Sequence, residues 1–122
     1  MALFQDGEFT AHAGGKLSFK FECDDLSDES IETIAAVITR NFTFSEVLGI
    51  PQGGCRLAEA LEKHCSSEDG KLVVDDVYTT GKSMREAREE HGEDALYIVI
   101  FARSQPPPWV KTLLTLSEWA GP

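Results

Sequence analysis

The stretch Lys71-Leu-Val-Val-Asp-Asp-Val-Tyr-Thr-Thr-Gly-Lys-Ser83 decides the fold. It opens with a short apolar run, residues 72–74, whose length and β-branched content are typical of a buried strand in a parallel sheet. Two adjacent carboxylates, Asp75 and Asp76, follow, and residues 79–83 lead into a predicted helix. The amides of such a loop and the helix N-terminus bind anions, while carboxylates accept hydrogen bonds from sugar hydroxyls. The stretch therefore predicts a site for a phosphorylated sugar.

The same residues carry a family resemblance. LVVDDVYTTGKS resembles the phosphoribosyl-pyrophosphate (PRPP) signature of the type I phosphoribosyltransferases: apolar residues, two acidic residues, then Thr-Thr-Gly-x-Ser. The resemblance implies that Asp75 and Asp76 are the catalytic carboxylates that hold the ribose hydroxyls. It also implies a set of 5′-phosphate-binding residues: Thr79, Thr80, Gly81, Lys82 and Ser83. The alternative is an ordinary strand-to-helix turn with a threonine N-cap.

A second glycine loop, residues 49–54, lies between a predicted strand at 45–50 and a predicted helix at 55–64. Glycines at such a turn let backbone amides approach an anion closely. The segment GIPQGGCRLAEAL resembles the pyrophosphate loop of the same family. The resemblance implies these pyrophosphate-binding residues: Pro51, Gln52, Gly53, Gly54 and Arg56. A second interpretation of Arg56, a solvated helix residue, stays open.

Residues 8–22 predict two short strands around Gly14-Gly15, because apolar residues alternate on both sides of the turn. FTAHAGGKLSFKFECD resembles the N-terminal hood of orotate phosphoribosyltransferases, which covers the base. The resemblance implies base contacts from the hood residues His12, Phe19, Lys20 and Phe21. His12 stands where that family has a lysine, so the base need not be orotate. A plain covering hairpin is the alternative.

Two further segments build the predicted core. Residues 27–42 predict a helix that Ser27 caps, with acidic residues in its first turn and an apolar face for packing. Residues 95–101, ALYIVIF, predict a well-covered strand. Arg103 follows that strand at the sheet edge where ligands gather in α/β proteins, and we assign it to the base site. Arg85 and Arg88, on the charged helix after Ser83, are expected to be solvated.

The segment after Arg103 predicts a rigid proline linker and then a last helix. The apolar face of this helix would consist of Val110, Leu113, Leu114, Leu116 and Trp119. Trp109 has two interpretations. It either anchors the helix on the sheet or, as in purine-specific members of the family, stacks on the base.

The composition excludes several functions. Net charge is −10, with 21 acidic against 11 basic residues, which argues against binding to nucleic acid or an anionic membrane. Three unpaired cysteines predict reduced thiols, and no signal peptide or membrane span is recognised, so we expect a cytoplasmic protein. The histidines at 12, 64 and 91 are too scattered to form a metal site.

The interval between the second glycine loop and the PRPP-like strand departs from the family pattern. Type I phosphoribosyltransferases place two strands and a long closing loop there, whereas here only residues 66–70 separate the predicted helix from the strand. The chain keeps both anion loops and lacks the lid. Because lids exclude water and complete catalytic sites, we expect slow turnover.

These observations predict one α/β domain over residues 1–122. Its fold would be a reduced type I phosphoribosyltransferase-like three-layer sandwich with a short parallel sheet and an N-terminal hairpin hood. The resemblance implies transfer of ribose 5-phosphate from PRPP to a nucleobase, with Mg²⁺ bound through the ligand near Asp75 and Asp76. The alternative is a non-catalytic module that binds PRPP or a nucleoside 5′-monophosphate. The bare sheet edge at the Val47 strand predicts a homodimer.

Overall fold

The computed structural model describes residues 4–10, 16–21 and 23–115, and it describes side chains at Cys23 and at 25–115. The predicted hood residue His12 and the predicted helix residues Leu116 and Trp119 lie outside these ranges. Among the described helices, none is long and apolar enough to cross a membrane.

The N-terminal part contains two antiparallel strands, β1 (Phe4–Thr10) and β2 (Lys16–Phe21). Their register is irregular between Asp6 and Phe9. The hood residues of β2 pair as follows: Phe19 with Asp6, Lys20 with Gln5 and Phe21 with Phe4. The two predicted strands are present, and their contact with a base stays a prediction.

Within residues 23–115, four parallel strands form one sheet in the order β3-β4-β5-β6. The strands are β3 (Glu46–Gly49), β4 (Lys71–Tyr78), β5 (Leu96–Ala102) and β6 (Val110–Thr115). The PRPP-like strand β4 therefore lies between β3 and β5, and β3 forms one edge. Because all four strands are parallel, the loops that follow them meet at the same edge of the sheet.

Three α-helices in the described part connect the strands: α1 (Asp28–Asn41), α2 (Cys55–Glu62) and α3 (Lys82–His91). The predicted cap of α1 is confirmed, since the Ser27 hydroxyl accepts a hydrogen bond from the Ser30 amide at 3.0 Å. A short 3₁₀ turn, Cys23–Asp25, precedes α1.

The helices cover both faces of the sheet. Helices α1 and α2 pack on one face, where the buried side chains include Ala35, Ile38, Leu57, Leu61, Leu72, Val74 and Ile98. Helix α3 packs on the other face, where they include Met84, Ala87, Val73, Tyr97 and Val99. This is the predicted three-layer arrangement, and it places the starts of α2 and α3 at the carboxyl edge of the sheet.

The predicted helix after the proline linker is wrong over residues 110–115. This segment is the strand β6, paired parallel with β5 from Val110 opposite Tyr97 to Thr115 opposite Ala102. Two physical reasons favour the strand. Valine and threonine are suited to extended backbone, and the apolar strand β5 needs hydrogen-bond partners along its second edge.

Candidate functional site

Three loops follow the carboxyl ends of β3, β4 and β5: residues 50–54, 79–81 and 103–109. Backbone hydrogen bonds tie two of these loops to β4. The Ile50 amide donates to the Val74 carbonyl at 2.9 Å, and the Arg103 amide donates to the Tyr78 carbonyl at 2.9 Å. Strand β4 is thus bonded to the loop on each side, which makes β4 the centre of the candidate site.

The glycine loop 50–54 lies directly against β4. A side chain at Gly54 would overlap the Val74 carbonyl, and a side chain at Gly53 would overlap the carboxylate of Asp76. Pro51, Gln52 and Gly53 are exposed, and the peptide bond between Pro51 and Gln52 is cis. The predicted pyrophosphate loop and the predicted ribose carboxylate are therefore in contact, and exposed residues of the loop lie beside that carboxylate.

The acidic pair belongs to β4 itself, whereas the sequence suggested that it follows the strand. Asp75 is opposite Val99 of β5 and only 8% exposed. Its Oδ1 accepts a hydrogen bond from the Asp76 amide at 2.8 Å. Asp76 is half-buried, and its Oδ1 accepts from the Val77 amide at 2.7 Å. Both carboxyls are thus held by backbone donors.

Burial raises the pKa of Asp75 to about 8, and the neighbouring Asp76 charge adds to the increase. A carboxyl with this pKa is mostly protonated at neutral pH. It then offers one O–H donor together with acceptor oxygens, which suits a partner such as a hydroxyl that both donates and accepts.

The loop before α3 turns through Gly81, whose φ is 83° in the left-handed region that favours glycine. A Cβ at this position would lie 2.5 Å from the Tyr78 hydroxyl oxygen, so the loop packs directly on that ring. The Lys82 amide lies 3.4 Å from the Thr80 hydroxyl, and Thr80, Lys82 and Ser83 are exposed. The loop therefore presents hydroxyls and the start of α3 to solvent beside the acidic pair.

Arg56 points away from the exposed part of the glycine loop. Its guanidinium donates to the Cys23 carbonyl at 3.2 Å, to the Leu26 carbonyl at 2.8 Å and to the Asp28 carboxylate at 3.1 Å. These bonds tie the start of α2 to the turn before α1. Neither sequence interpretation anticipated this role, and contact with pyrophosphate stays a prediction that requires the side chain to turn.

The residues predicted to contact the base lie in different parts of the structure. Arg103 is buried just after the end of β5, which pairs with β4, the strand that carries the acidic pair. The Trp109 ring packs edge-to-face on Tyr97 at 5.4 Å and lies 4.6 Å below the Arg88 guanidinium. Trp109 is thus an anchor of the α3 face. The structure describes the backbone of Phe19, Lys20 and Phe21 but not their side chains, so their contact with a base stays a prediction.

The sequence analysis did not place Arg85 at the loop before α3. The Arg85 guanidinium donates from Nη1 to the Thr80 carbonyl at 3.0 Å, which places it at the loop before α3. The available signal was its position in the first turns of the helix, because helical side chains point back toward the N-terminus.

A cleft of about 840 Å³ lies elsewhere, between the C-terminal half of α1, the proline segment 105–108 and β6. Its lining includes neither member of the acidic pair and no residue of the glycine loop 50–54. We therefore do not assign the cleft to this site.

Comparisons with known proteins bear on the fold. No family model matches the sequence, and no curated protein does. Among solved structures, an orotate phosphoribosyltransferase from Aeropyrum pernix matches with a TM-score of 0.70 and 19% identity, over 93% of this chain and 88% of that one. The orotate phosphoribosyltransferase from Mycobacterium tuberculosis matches with a TM-score of 0.64 and 17% identity, over 93% of this chain and 89% of that one.

A UMP synthase from Leishmania donovani matches with a TM-score of 0.67 and 14% identity, over 93% of this chain and 33% of that one. At these identities the likeness concerns the fold. It agrees with the parallel sheet and three helices described above. The chain therefore has the type I phosphoribosyltransferase fold, in a shortened form similar to that of orotate phosphoribosyltransferases.

Proposed function

We propose that this chain binds PRPP or a nucleoside 5′-monophosphate and transfers ribose 5-phosphate to a nucleobase with release of pyrophosphate. One observation carries the proposal: the glycine loop at Gly53 touches the carboxylate of Asp76, and the hydroxyl-rich loop 79–83 follows the same strand. Two loops of the kind that binds anions thus flank one acidic pair, which supports the proposal. A ligand with a phosphate at one end, two hydroxyls in the middle and a pyrophosphate at the other end has matching chemistry.

In this proposal each part of the site has one task. Asp75 and Asp76 hold the ribose hydroxyls, the loop 79–83 holds the 5′-phosphate, and the amides of residues 51–54 hold the pyrophosphate. The bond from ribose C1 to pyrophosphate breaks, and the electron pair leaves with pyrophosphate. A ring nitrogen of the base then forms the new bond to C1 and gives up its proton to water. The positioned amides favour the charge that develops on the leaving group.

Magnesium is part of the proposal because the fold family implies it. The described residues contain no group of three possible ligands. The half-buried carboxylate of Asp76 still fits, since proteins commonly hold Mg²⁺ through one or two carboxylates together with substrate phosphates. A bound cation would also favour the ionised form of the neighbouring Asp75. When bound, the ion neutralises pyrophosphate charge.

A non-catalytic binding module is the second candidate, and the link between α2 and β4 favours it. Residues 63–70 lie at the amino edge of the sheet, opposite the site, where α2 ends and β4 begins. Hydrogen bonds hold this link in place: Ser66 N donates to the Phe44 carbonyl at 2.8 Å, and Ser45 N donates to the Gly70 carbonyl at 2.8 Å. This link therefore does not close over a ligand.

We propose further that the chain forms a homodimer in the cytoplasm. Strand β3 is a sheet edge, and open edges favour pairing with another chain. Cys55 and Cys65 are exposed and not disulfide-bonded, which suits a reducing compartment. Sedimentation equilibrium tests the assembly, and a monomer at micromolar concentration would refute it.

Calorimetry of PRPP and Mg²⁺ binding, run beside a pyrophosphate-release assay over a panel of purine and pyrimidine bases, tests the function. We expect PRPP binding in wild type. In the Asp75→Asn/Asp76→Asn variant, ribose 5-phosphate should lose much more affinity than inorganic phosphate, because only the sugar uses the acidic pair. If PRPP binds and no pyrophosphate is released, the chain is a non-catalytic binding module. If PRPP does not bind, both the transferase proposal and the module proposal are refuted.

A further inference from the structure

The cleft between α1, the proline segment and β6 lies outside the site described above. It has a volume of about 840 Å³, and most of the residues that line it are apolar. They include Val37, Phe42, Ile98, Val110 and Leu113, together with Pro106, Pro107 and Pro108. This size, with a largely apolar lining and few polar groups, is typical of a binding site.

The free edge of β6 forms one wall of the cleft. Strand β6 is the last strand of the four-stranded sheet, and within the described residues it pairs with β5 alone. Residues 110–113, four in succession, line the cleft. Successive side chains of a strand point to opposite faces, and accordingly Val110 packs on the α3 face and Leu113 on the α1 face. The cleft therefore includes the edge between the two faces, where backbone amides and carbonyls await a partner.

Exposed apolar side chains lie at the same place. In the part of the chain whose side chains are described, the exposed large apolar residues are Val37, at 37%, and Leu114, at 61%. Val37 lines the cleft, and Leu114 follows its last lining residue on β6. The prolines at 106–108 restrict the backbone of another wall, which lowers the entropy that a bound partner must cost. The cleft is thus preformed and partly uncovered.

The charge of the cleft differs from that of the chain. The chain has 21 acidic residues and a net charge of −10, yet none of the described residues that line the cleft is acidic. The one charged residue among them is Lys111, which is exposed and donates from Nζ to the Pro108 carbonyl at 3.4 Å. An anionic group that enters the cleft therefore meets a cation, which makes the lining complementary to an apolar partner with an acidic residue.

We propose that the cleft binds an extended segment of a partner polypeptide, which pairs with β6 as a fifth strand of the sheet. Alternate apolar side chains of the segment fill the cleft, and an acidic side chain pairs with Lys111. In this mode of recognition, main-chain hydrogen bonds supply affinity and the pockets for alternate side chains supply specificity. A small apolar molecule would leave the edge of β6 without a partner. The proposed surface is separate from the phosphoribosyl site and does not depend on its activity.

Selection from a displayed random peptide library on the full chain supplies the probe. The peptides have about eight residues, within the usual range of strand lengths. We expect the selected sequences to alternate apolar residues and to carry Asp or Glu at one position. If the selection enriches no peptide, or enriches basic peptides, the proposal is wrong.

Fluorescence anisotropy of the selected peptide then locates its site. Val37→Glu and Lys111→Glu each add negative charge to the cleft and should weaken binding roughly tenfold or more. Two matched controls change the charge equally outside the lining: Thr33→Glu, one turn away on α1, and Lys63→Glu, at the end of α2. Both controls should keep wild-type affinity, and equal losses in controls and cleft variants would overturn the proposal. The thermal midpoint of each protein shows that it is folded.

Methyl groups on the backbone nitrogens of the peptide test the strand pairing on the wild-type chain, so the result does not depend on the folding of a variant. Alternate amides of an added strand point to β6, and the other amides point to solvent. Methylation of the first set should weaken binding roughly tenfold or more, and methylation of the second should leave it unchanged. Equal effects of the two sets would show that the cleft takes side chains alone.

Sedimentation equilibrium separates a partner polypeptide from a second copy of this chain. We expect Lys111→Glu and Val37→Glu to leave the oligomeric state of wild type unchanged. A wild-type dimer that either variant dissociates would show that a second copy fills the cleft, and the proposal of a separate partner would be wrong.

Discussion

Gly53 lies against the carboxylate of Asp76, so closely that a side chain at position 53 would overlap it. This contact joins the loop after β3 to the acidic pair of β4. The Asp76 carboxylate cannot turn away freely, because its Oδ1 accepts a hydrogen bond from the Val77 amide at 2.7 Å. Loop and carboxylate therefore form one unit, and any group at 53 larger than hydrogen must displace one of them.

We predict that Gly53→Ala destabilises the protein by about 1 kcal/mol, the lower range for overpacking, since the overlapping group is a side-chain end. In an Asp76→Ala background the same change should cost less by about 0.5 kcal/mol or more, because the two residues touch. Urea unfolding of the four proteins measures this. Equal costs in both backgrounds would show that the loop and the carboxylate do not interact.

The buried carboxyl of Asp75 makes stability depend on pH. Its pKa rises from 3.8 to about 8 on folding, chiefly through burial and then through the Asp76 charge. Between these values the folded state holds a proton that the unfolded state has released. Stability from this group is therefore complete below the lower value and is lost as pH rises through about 8.

We expect the unfolding free energy of wild type minus that of Asp75→Asn to fall with pH across this window. The slope cannot exceed about 1.4 kcal/mol per pH unit for one group. Urea titrations between about pH 5 and about pH 8, with a chelator present, measure it. Parallel curves would mean that Asp75 is ionised in the folded protein.

Arg56 connects α2 to the turn before α1, and its removal should loosen that junction. We expect Arg56→Ala to lower the unfolding free energy by about 1–2 kcal/mol, since charge-assisted bonds to two carbonyls are lost. Lys63→Ala is the control, because within the described part of the chain the Lys63 ammonium pairs with Glu32 alone, at the surface. This substitution should cost under about 1 kcal/mol.

The same variant tests the pyrophosphate role that the family resemblance implies for Arg56. Calorimetry with PRPP and with ribose 5-phosphate separates the two ends of the ligand. A loss confined to PRPP would show that the side chain turns to the pyrophosphate. Equal affinities in wild type and variant would restrict Arg56 to its structural bonds.

Much of the fold was predictable because local chemistry and tertiary structure agree. The apolar run at 72–74 is the core of β4, Ser27 caps α1, and glycine loops end β3 and β4. The strand β6 was not predictable in this way. Val110, Leu113 and Leu114 fit helical spacing as well, and pairing with β5, a distant partner, decides the outcome.

The candidate site was predictable in its residue types and less so in its geometry. An ionised carboxylate is costly to bury, so the sequence suggested that the strand ends before the acidic pair. Strand β4 nevertheless continues through Asp75, and this burial raises the pKa of its carboxyl. Two arginines also have positions that composition does not reveal. Arg56 turns toward the residues before α1, and Arg85 turns toward Thr80.

The left-handed turn at Gly81 gives a further prediction. Gly81→Ala should cost about 1–2 kcal/mol for the left-handed conformation, with an added cost from contact with the Tyr78 ring. It should also weaken ribose 5-phosphate binding, because the loop must move. Gly92→Ala is the matched control, since its φ is 94° and nothing lies within 4 Å of its Cβ position. The control should lose stability and keep affinity, and the reverse would contradict the assignment of the loop.

The last prediction concerns the rate and fate of the reaction. The link from α2 to β4 is at the edge opposite the site, where hydrogen bonds to residues 43–45 hold it. It therefore does not exclude water from the ribose C1 or bring cations to the leaving pyrophosphate. In the proposed reaction the remaining contributors would be the amides of the glycine loop, the start of α3 and Mg²⁺. Positioned donors of this kind each matter by roughly a hundredfold or more, so we expect some turnover to survive.

With water present at C1, hydrolysis of PRPP should compete with transfer to a base. The measurement is PRPP consumption at saturating Mg²⁺, with and without each of a panel of purine and pyrimidine bases. We expect slow consumption that continues when no base is added, with ribose 5-phosphate and pyrophosphate as products. A variant lacking both carboxyls, Asp75→Asn/Asp76→Asn, should abolish it and so exclude a contaminating activity. Fast turnover that requires a base and yields no ribose 5-phosphate would sink this prediction, and it would mean that the N-terminal strands or a second subunit close the site.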